Sequence, residues 1–151
     1  MLHKNNGDCP HCDTLFDKFT GFHSGLRSLF KSFQKEHPEA HVSCAGRGHF
    51  EQQRCFMNKV SDAKWGQSAH NFNAAIDLFE SSGDRDNLYE AVWFSKVVRP
   101  WIAQYSEFEW YGSPGSSYFE LPHIQVRNWK DLVRSGLLTP VENVPVYPLP
   151  I

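Results

Sequence analysis

The chain has 151 residues, a formal net charge of −2, 40% hydrophobic and 15% aromatic residues, with twelve Phe and five Trp. That is enough buriable surface for one ordinary core and too much for a disordered chain. The balanced charge provides no global positive field to hold nucleic acid or an anionic membrane. No run of about 18 apolar residues reads as a transmembrane helix.

The first segment, MLHKNNGDCPHC, has no apolar h-region of a secretory signal. The expectation is a chain made in the cytosol and soluble there. Its four cysteines are then expected as thiols or metal ligands rather than disulfides. Cys9-Pro10-His11-Cys12 has the spacing of half a zinc knuckle or of a redox pair. Cys44 and Cys55 are candidates to complete a four-thiolate site with Cys9 and Cys12, although their spacing is irregular and Cys44 suits equally a small apolar strand position.

Residues 13–36 read as one helix. Leu15, Phe16, Phe19, Phe22, Leu26, Leu29, Phe30 and Phe33 recur at three- and four-residue steps. Gly21 and Gly25 weaken it, and Pro38 marks its end. Its polar face mixes Asp13, Asp17, Lys18, Arg27 and Lys31, which is unlike a membrane-surface helix. Residues 41–46 read as a buried strand. Residues 49–59 read as a short helix with Phe50, Cys55 and Phe56 inward. A Gly-, Ser-, Asn- and Gln-containing loop spans 64–73, and a strand spans 74–79. Asp86 is a candidate N-cap for a helix over 87–104 that Pro100 should kink. Residues 108–111 and 122–126 read as strands around the loop GSPGSS. Residues 128–135 read as a helix stopped near Gly136, and the proline-rich tail 137–151 as extended chain. The predicted architecture is a single α+β domain, a small antiparallel sheet flanked by helices. Its expected parts are an N-terminal segment and helix over 1–40, a catalytic core over 41–136 and the tail.

Three segments hold polar residues that structure alone does not require. His70 lies in a loop before Asp77, which sits inside the run Ala-Ala-Ile-Asp-Leu-Phe. A carboxylate buried there is costly unless a cation or a charged partner meets it. Glu120 stands three residues before His123, and Arg47 follows the first strand. Two imidazoles and a carboxylate, His70, Asp77 and His123, make a sound zinc ligand set with a fourth position for water. Glu120 suits the general base and acid, and Arg47 suits a substrate carboxylate or a developing oxyanion. Ser68 reads as a hydrogen bonder of the loop rather than a nucleophile, since nothing beside it forms a triad. Ser68, Trp110 and Tyr111 are candidates to line the substrate cleft, the two aromatics equally suiting the core.

Ser68-x-His70 with Ala75-x-Asp77, followed by Glu120-x-Pro122-His123, resembles the D-alanyl-D-alanine carboxypeptidase-like (VanY-type) metallopeptidases, which include phage L-alanyl-D-glutamate endolysins. The resemblance covers roughly residues 41–130. Arg47 followed by Gln52 and Gln53 is similar to that family's Arg and Gln-containing helix, and Glu109-Trp110-Tyr111-Gly112 resembles its Glu-Trp-Gly-Gly. Asn73 stands where the family has Gly, a position Asn tolerates in left-handed backbone. Gly46 stands where a Tyr usually precedes the Arg.

The resemblance implies a hedgehog/DD-peptidase-like fold, one catalytic zinc on His70, Asp77 and His123, and Glu120 as acid/base. It implies a monomeric endolysin that cuts the peptidoglycan stem peptide, without nucleic acid or membrane insertion. Such an enzyme accumulates in the host cytoplasm and needs a holin-type partner to reach the wall. Two alternatives stand beside it: a D-Ala-D-Ala carboxypeptidase or dipeptidase, and a zinc-containing cell-wall-binding module without hydrolysis. A second, structural zinc on the cysteines is a further candidate, as is a thiol protein in which the His/Asp pattern is coincidental.

Overall fold

The structure is a computed structural model that describes residues 3–81, 86–87, 91–112 and 119–141. The elements run α1 (Pro10–Asp17), α2 (Ser24–Glu36), β1 (Ala40–Cys44), α3 (His49–Met57), a 3-10 turn (Ala69–Phe72), β2 (Ala75–Ser81) and β3 (Asp86–Asn87). Then α4 (Ala91–Trp93) passes through a π-helical stretch (Phe94–Val98) into α5 (Arg99–Ile102), followed by β4 (Phe108–Trp110), β5 (His123–Val126) and α6 (Trp129–Arg134). The class is α+β, as the alternation of patterns predicts.

The five strands form one antiparallel sheet in the order β1-β2-β5-β4, with β3 paired to the end of β2. Residues directly opposite in such a sheet share a face. Ile76 pairs with Ile124, and Trp110 also pairs with Ile124. These residues are buried with Leu78, Phe30 and Phe33 in the core. Phe33 from α2 stacks on Trp101 from α5 at 3.9 Å between ring centroids. The other face carries Cys44, Asp77, His123, Gln125 and Glu109, through the pairs Cys44 with Asp77, Asp77 with His123 and Glu109 with Gln125. A register irregularity between Val42 and Cys44 brings Cys44 onto that polar face.

Several local expectations are corrected. The helix expected over 13–36 is two helices, with Gly21 in left-handed backbone at φ +84 between them. The first starts earlier, with Cys9 as N-cap and Pro10 in its first turn, where a missing N–H is harmless. The inward face of α3 is not Phe50, Cys55 and Phe56. Phe50 is 58% exposed, Cys55 is half-buried, and Gln52 is the buried residue. Asp86 does not cap a helix; it pairs with Ser81. Pro100 leaves its helix continuous, because the turn before it widens: the Arg99 N–H donates to the Phe94 carbonyl, a π-type bond. Of the tail, residues 137–141 are without helix as expected. Leu138 and Val141 are buried, and the Val141 N–H donates to the Asn71 carbonyl. The remainder of the tail and residues 113–118 of the GSPGSS region lie outside the described residues. Among the described residues no helix is long and apolar enough to cross a membrane.

The bend from β1 into Arg47 passes under Phe19. A Cβ added at Gly46 would lie 2.7 Å from Phe19 Cδ1. Overpacking of this kind costs about 1–3 kcal/mol, and each kcal/mol is worth about 2–4 °C in a domain of this size. Gly46→Ala therefore lowers the calorimetric Tm by several degrees; an unchanged Tm would show that Phe19 moves aside freely.

Candidate functional site

His70 is carried by the 3-10 turn. Ser68 caps that turn by accepting from the His70 N–H, with Asn71 completing a reciprocal capping box. The turn ends at Asn73, which adopts left-handed backbone at φ 60, the conformation anticipated for an Asn in a glycine position. Asp77 is in the middle of β2 and His123 opens β5. Asp77 Oδ1 lies 3.2 Å from His70 Nε2 and 3.3 Å from His123 Nδ1, with 14% of the Asp77 side chain exposed. Arg47 approaches the same carboxylate, its Nη2 3.8 Å from Oδ2. Two overlapping groups of candidate metal ligands result, Asp77 with Glu120 and His123, and Asp77 with His70 and Cys44.

The hydrogen-bond partners assign the imidazole protons. His70 Nδ1 lies 2.7 Å from the Ala45 carbonyl. A carbonyl only accepts, so Nδ1 carries the proton and Nε2 turns its lone pair toward Asp77. Gln125 Nε2 donates to Glu109 Oε1, which leaves Gln125 Oε1 facing His123 Nε2 at 2.9 Å. His123 therefore donates through Nε2 and turns Nδ1 toward Asp77. Two imidazole lone pairs and a carboxylate facing one another repel unless a cation sits among them. That donor set, with both imidazoles fixed by outer partners, fits a zinc-like divalent ion. Without a metal a proton takes that place. Burial alone would lower the pKa of His70, but the charge and hydrogen bond of Asp77 together with Cys44 outweigh it and raise it to about 10. Burial alone would raise Asp77, yet His70 and His123 hold it well below the usual carboxylate range.

A cleft of about 1010 Å³ opens over these residues, lined by Arg47, His70, Asp77, Glu120, His123 and Tyr111 among others. Glu120 is half-buried beside it, placed by its N–H donating to the Tyr111 carbonyl. Burial and the neighbouring Asp77 charge raise its pKa, which suits a group that takes up and returns a proton. Tyr111 stacks on His123 at 4.5 Å. Ser68 also lines the cleft.

Trp110 does not line it. It is 3% exposed, lies on the core face and donates its indole N–H to the Leu121 carbonyl. The four-thiolate grouping is not formed either. Cys44 Sγ lies 3.8 Å from His70 Nδ1, and Arg47 Nη2 donates to it at 3.6 Å. Cys55 is on α3. Cys9 and Cys12 instead stand with His3 and His41. Burial pushes the Cys12 thiol up to about 12, with Cys9 adding to it, opposite to the lowered pKa of a redox-active CxxC.

Sequence reasoning assigns no role to two supports of this site, although Gln52 and Glu109 both lie in segments that carry the family resemblance. Gln125 and Glu109 form a chain behind His123, visible only as the third residue of β5, on the same face as His123, and its partner across the sheet. Gln52 is fully buried and joins Arg47 and Asn71 through its Oε1 while its Nε2 donates to Ser61 and Ala63. Its signal in the sequence is its place in the Gln-containing helix after Arg47, on the inward side of an otherwise exposed short helix.

Among solved structures the chain is similar to the Serratia marcescens L-Ala D-Glu endopeptidase ChiX, with a TM-score of 0.60 and 18% sequence identity over 80% of this chain and 88% of that one. The likeness is one of fold. No family model matches the chain, and no curated protein does. An endopeptidase-like fold and a cluster of candidate metal ligands thus coincide in one small domain.

Loss of an outer hydrogen bond to a metal-binding His typically costs about 10–100-fold in metal affinity. Gln125→Leu is expected to weaken zinc binding by about that factor while circular dichroism stays that of the wild type. Competition titration with a chromogenic chelator measures it, and unchanged affinity would dissociate Gln125 from the site.

Proposed function

We propose that the chain is a zinc-dependent peptidase of peptidoglycan that hydrolyses the stem peptide at the L-Ala-D-Glu bond. The observation that carries this reading is the meeting of His70, His123, Glu120 and Arg47 around the Asp77 carboxylate in one open cleft. The fold shared with an L-Ala D-Glu endopeptidase supports it.

When bound, zinc supplies a Lewis acid that acidifies water and polarises a carbonyl. His70 Nε2, Asp77 and His123 Nδ1 would hold the ion, and the Ala45 carbonyl and Gln125 keep both imidazoles turned toward that place. The Glu120 carboxylate accepts a proton from the attacking water and delivers it to the nitrogen of the leaving amine. Its raised pKa makes it a stronger base for the first transfer, at the cost of a smaller ionised fraction at low pH. The Arg47 guanidinium, 11% exposed and fixed by Gln52, presents positive charge to the developing oxyanion or to a substrate carboxylate. Tyr111, stacked on His123, forms a wall against which the peptide lies. As part of the same proposal the enzyme acts as a monomer and reaches the wall after a holin-type partner opens the membrane.

Purified peptidoglycan is the test substrate, with fragments identified by mass spectrometry. The wild type is expected to release new D-Glu amino termini, and Glu120→Gln to lose about 10²–10⁴-fold in rate while still binding zinc. Chelation is expected to abolish the activity and added zinc to restore it. New termini at D-Ala instead would assign the carboxypeptidase specificity. A folded, zinc-loaded wild type that cleaves nothing would refute the catalytic reading in favour of a binding module.

A further inference from the structure

We propose that His3, Cys9, Cys12 and His41 bind a structural zinc ion that fastens the N-terminal segment to the edge of the sheet. This site stands apart from the cleft and does not depend on what the cleft does.

The four residues each offer a ligand atom, and these atoms lie within 4.8 Å of one another. His3 Nδ1 is 3.4 Å from Cys9 Sγ and 3.5 Å from Cys12 Sγ, and His41 Nδ1 is 3.5 Å from Cys12 Sγ. With Zn–S near 2.3 Å and Zn–N near 2.0–2.1 Å, a tetrahedron has N···S edges of about 3.6 Å. The observed separations are those of the edges of such a tetrahedron. Two sulfurs and two imidazoles are a donor set that zinc prefers over hard cations such as calcium or magnesium.

The surroundings are built for ligands and not merely for packing. Asn5 Nδ2 donates to the Ser81 carbonyl, so its Oδ1 faces His41 Nε2, 2.6 Å away. His41 therefore carries its proton on Nε2 and turns the Nδ1 lone pair to the cysteines, as an outer partner does for a metal-binding His. Both sulfurs accept N–H groups. Lys4 N–H donates to Cys9 Sγ at 3.5 Å, and Val42 N–H and Gln34 Nε2 donate to Cys12 Sγ at 3.5 and 3.6 Å. Donors of this kind work against the burial that otherwise holds the Cys12 thiol protonated. On binding, the ion displaces one proton from each thiol, two in all, with no change of oxidation state.

The position explains a use. β1 is the end strand of the sheet, and an uncovered edge invites pairing with other chains. Here Cys12 Sγ occupies the Val42 amide, and Gln34 occupies the Ala40 carbonyl. The ion would join His41 of β1 to the N-cap and first turn of α1 and to His3 ahead of it. That clamp would cover the edge and tie down residues 3–9, which form no strand or helix of their own.

The test uses the full chain, loaded with zinc, desalted and analysed for metal per chain. A His70→Ala/His123→Ala variant, in which the cleft site is removed, is expected to retain one zinc. Adding Cys9→Ser/Cys12→Ser to it is expected to remove that zinc. Cobalt(II) in the first variant is expected to show thiolate-to-metal charge-transfer absorption in the near ultraviolet. His3→Ala, outside every helix and strand, keeps the fold readable by circular dichroism and should weaken the ion by roughly tenfold or more. A folded His70→Ala/His123→Ala chain that holds no zinc would overturn the proposal. So would cobalt without a thiolate band, or affinity unchanged by His3→Ala. If the wild type and the His70→Ala/His123→Ala variant each hold one zinc that needs the cysteines, this site stands and the cleft reading falls.

Discussion

A carboxylate in the middle of an apolar strand has to be met by positive charge, and the rest of the cleft is arranged around that need. Asp77 lies between Ile76 and Leu78, both in the core, and is itself largely buried. Removing such a charge from water costs several kcal/mol unless partners replace the hydration. The partners come from three separate parts of the chain: His70 from the 3-10 turn, His123 from β5 and Arg47 from the bend after β1. All three depend on the register of β2 against its neighbours. A slip of one residue would turn Asp77 into the core and Ile76 into the cleft. The register is held by the apolar pairing of Ile76 with Ile124 on the opposite face, so the core and the polar cluster constrain each other.

The same orienting device appears twice. A side-chain amide, fixed by an acceptor on its far side, presents its oxygen to an imidazole and thereby chooses which ring nitrogen faces inward. Gln125, held by Glu109, does this for His123, and Asn5, held by the Ser81 carbonyl, does it for His41. Each arrangement leaves a lone pair pointing at other electron-rich atoms. Such a convergence of lone pairs needs a proton or a metal ion between the atoms, and the zinc ions proposed for the two sites would supply that charge.

Much of the fold was legible in the sequence because its signals are local. Short, mostly apolar runs mark β2 and β5, and the aromatic stripe marks the helices that cover them. The errors also have local causes. The stripe over 13–36 keeps its period across a break because Phe19 and Phe22 pack against the core from the connecting turn, where Gly21 reverses the chain. The face of α3 is misjudged because its buried residue is polar: Gln52 has enough hydrogen bonds to replace water, while Phe50 stays outside. Pro100 is expected to break a helix, and a widened turn absorbs it.

By itself the sequence determined the α+β class, the strands that carry Asp77 and His123, and the candidacy of His70, Asp77, His123, Glu120 and Arg47, because residue type and short spacing suffice for these. Only the tertiary structure decided which partners the cysteines keep. His41 is 29 positions from Cys12 and on another element, and Cys44, two pairs along the same sheet, goes to the cleft. Only pairing decided that Trp110 faces the core while its neighbour Glu109 supports His123. Such assignments follow from which strand lies beside which, in what register, and no property of a single segment contains that information.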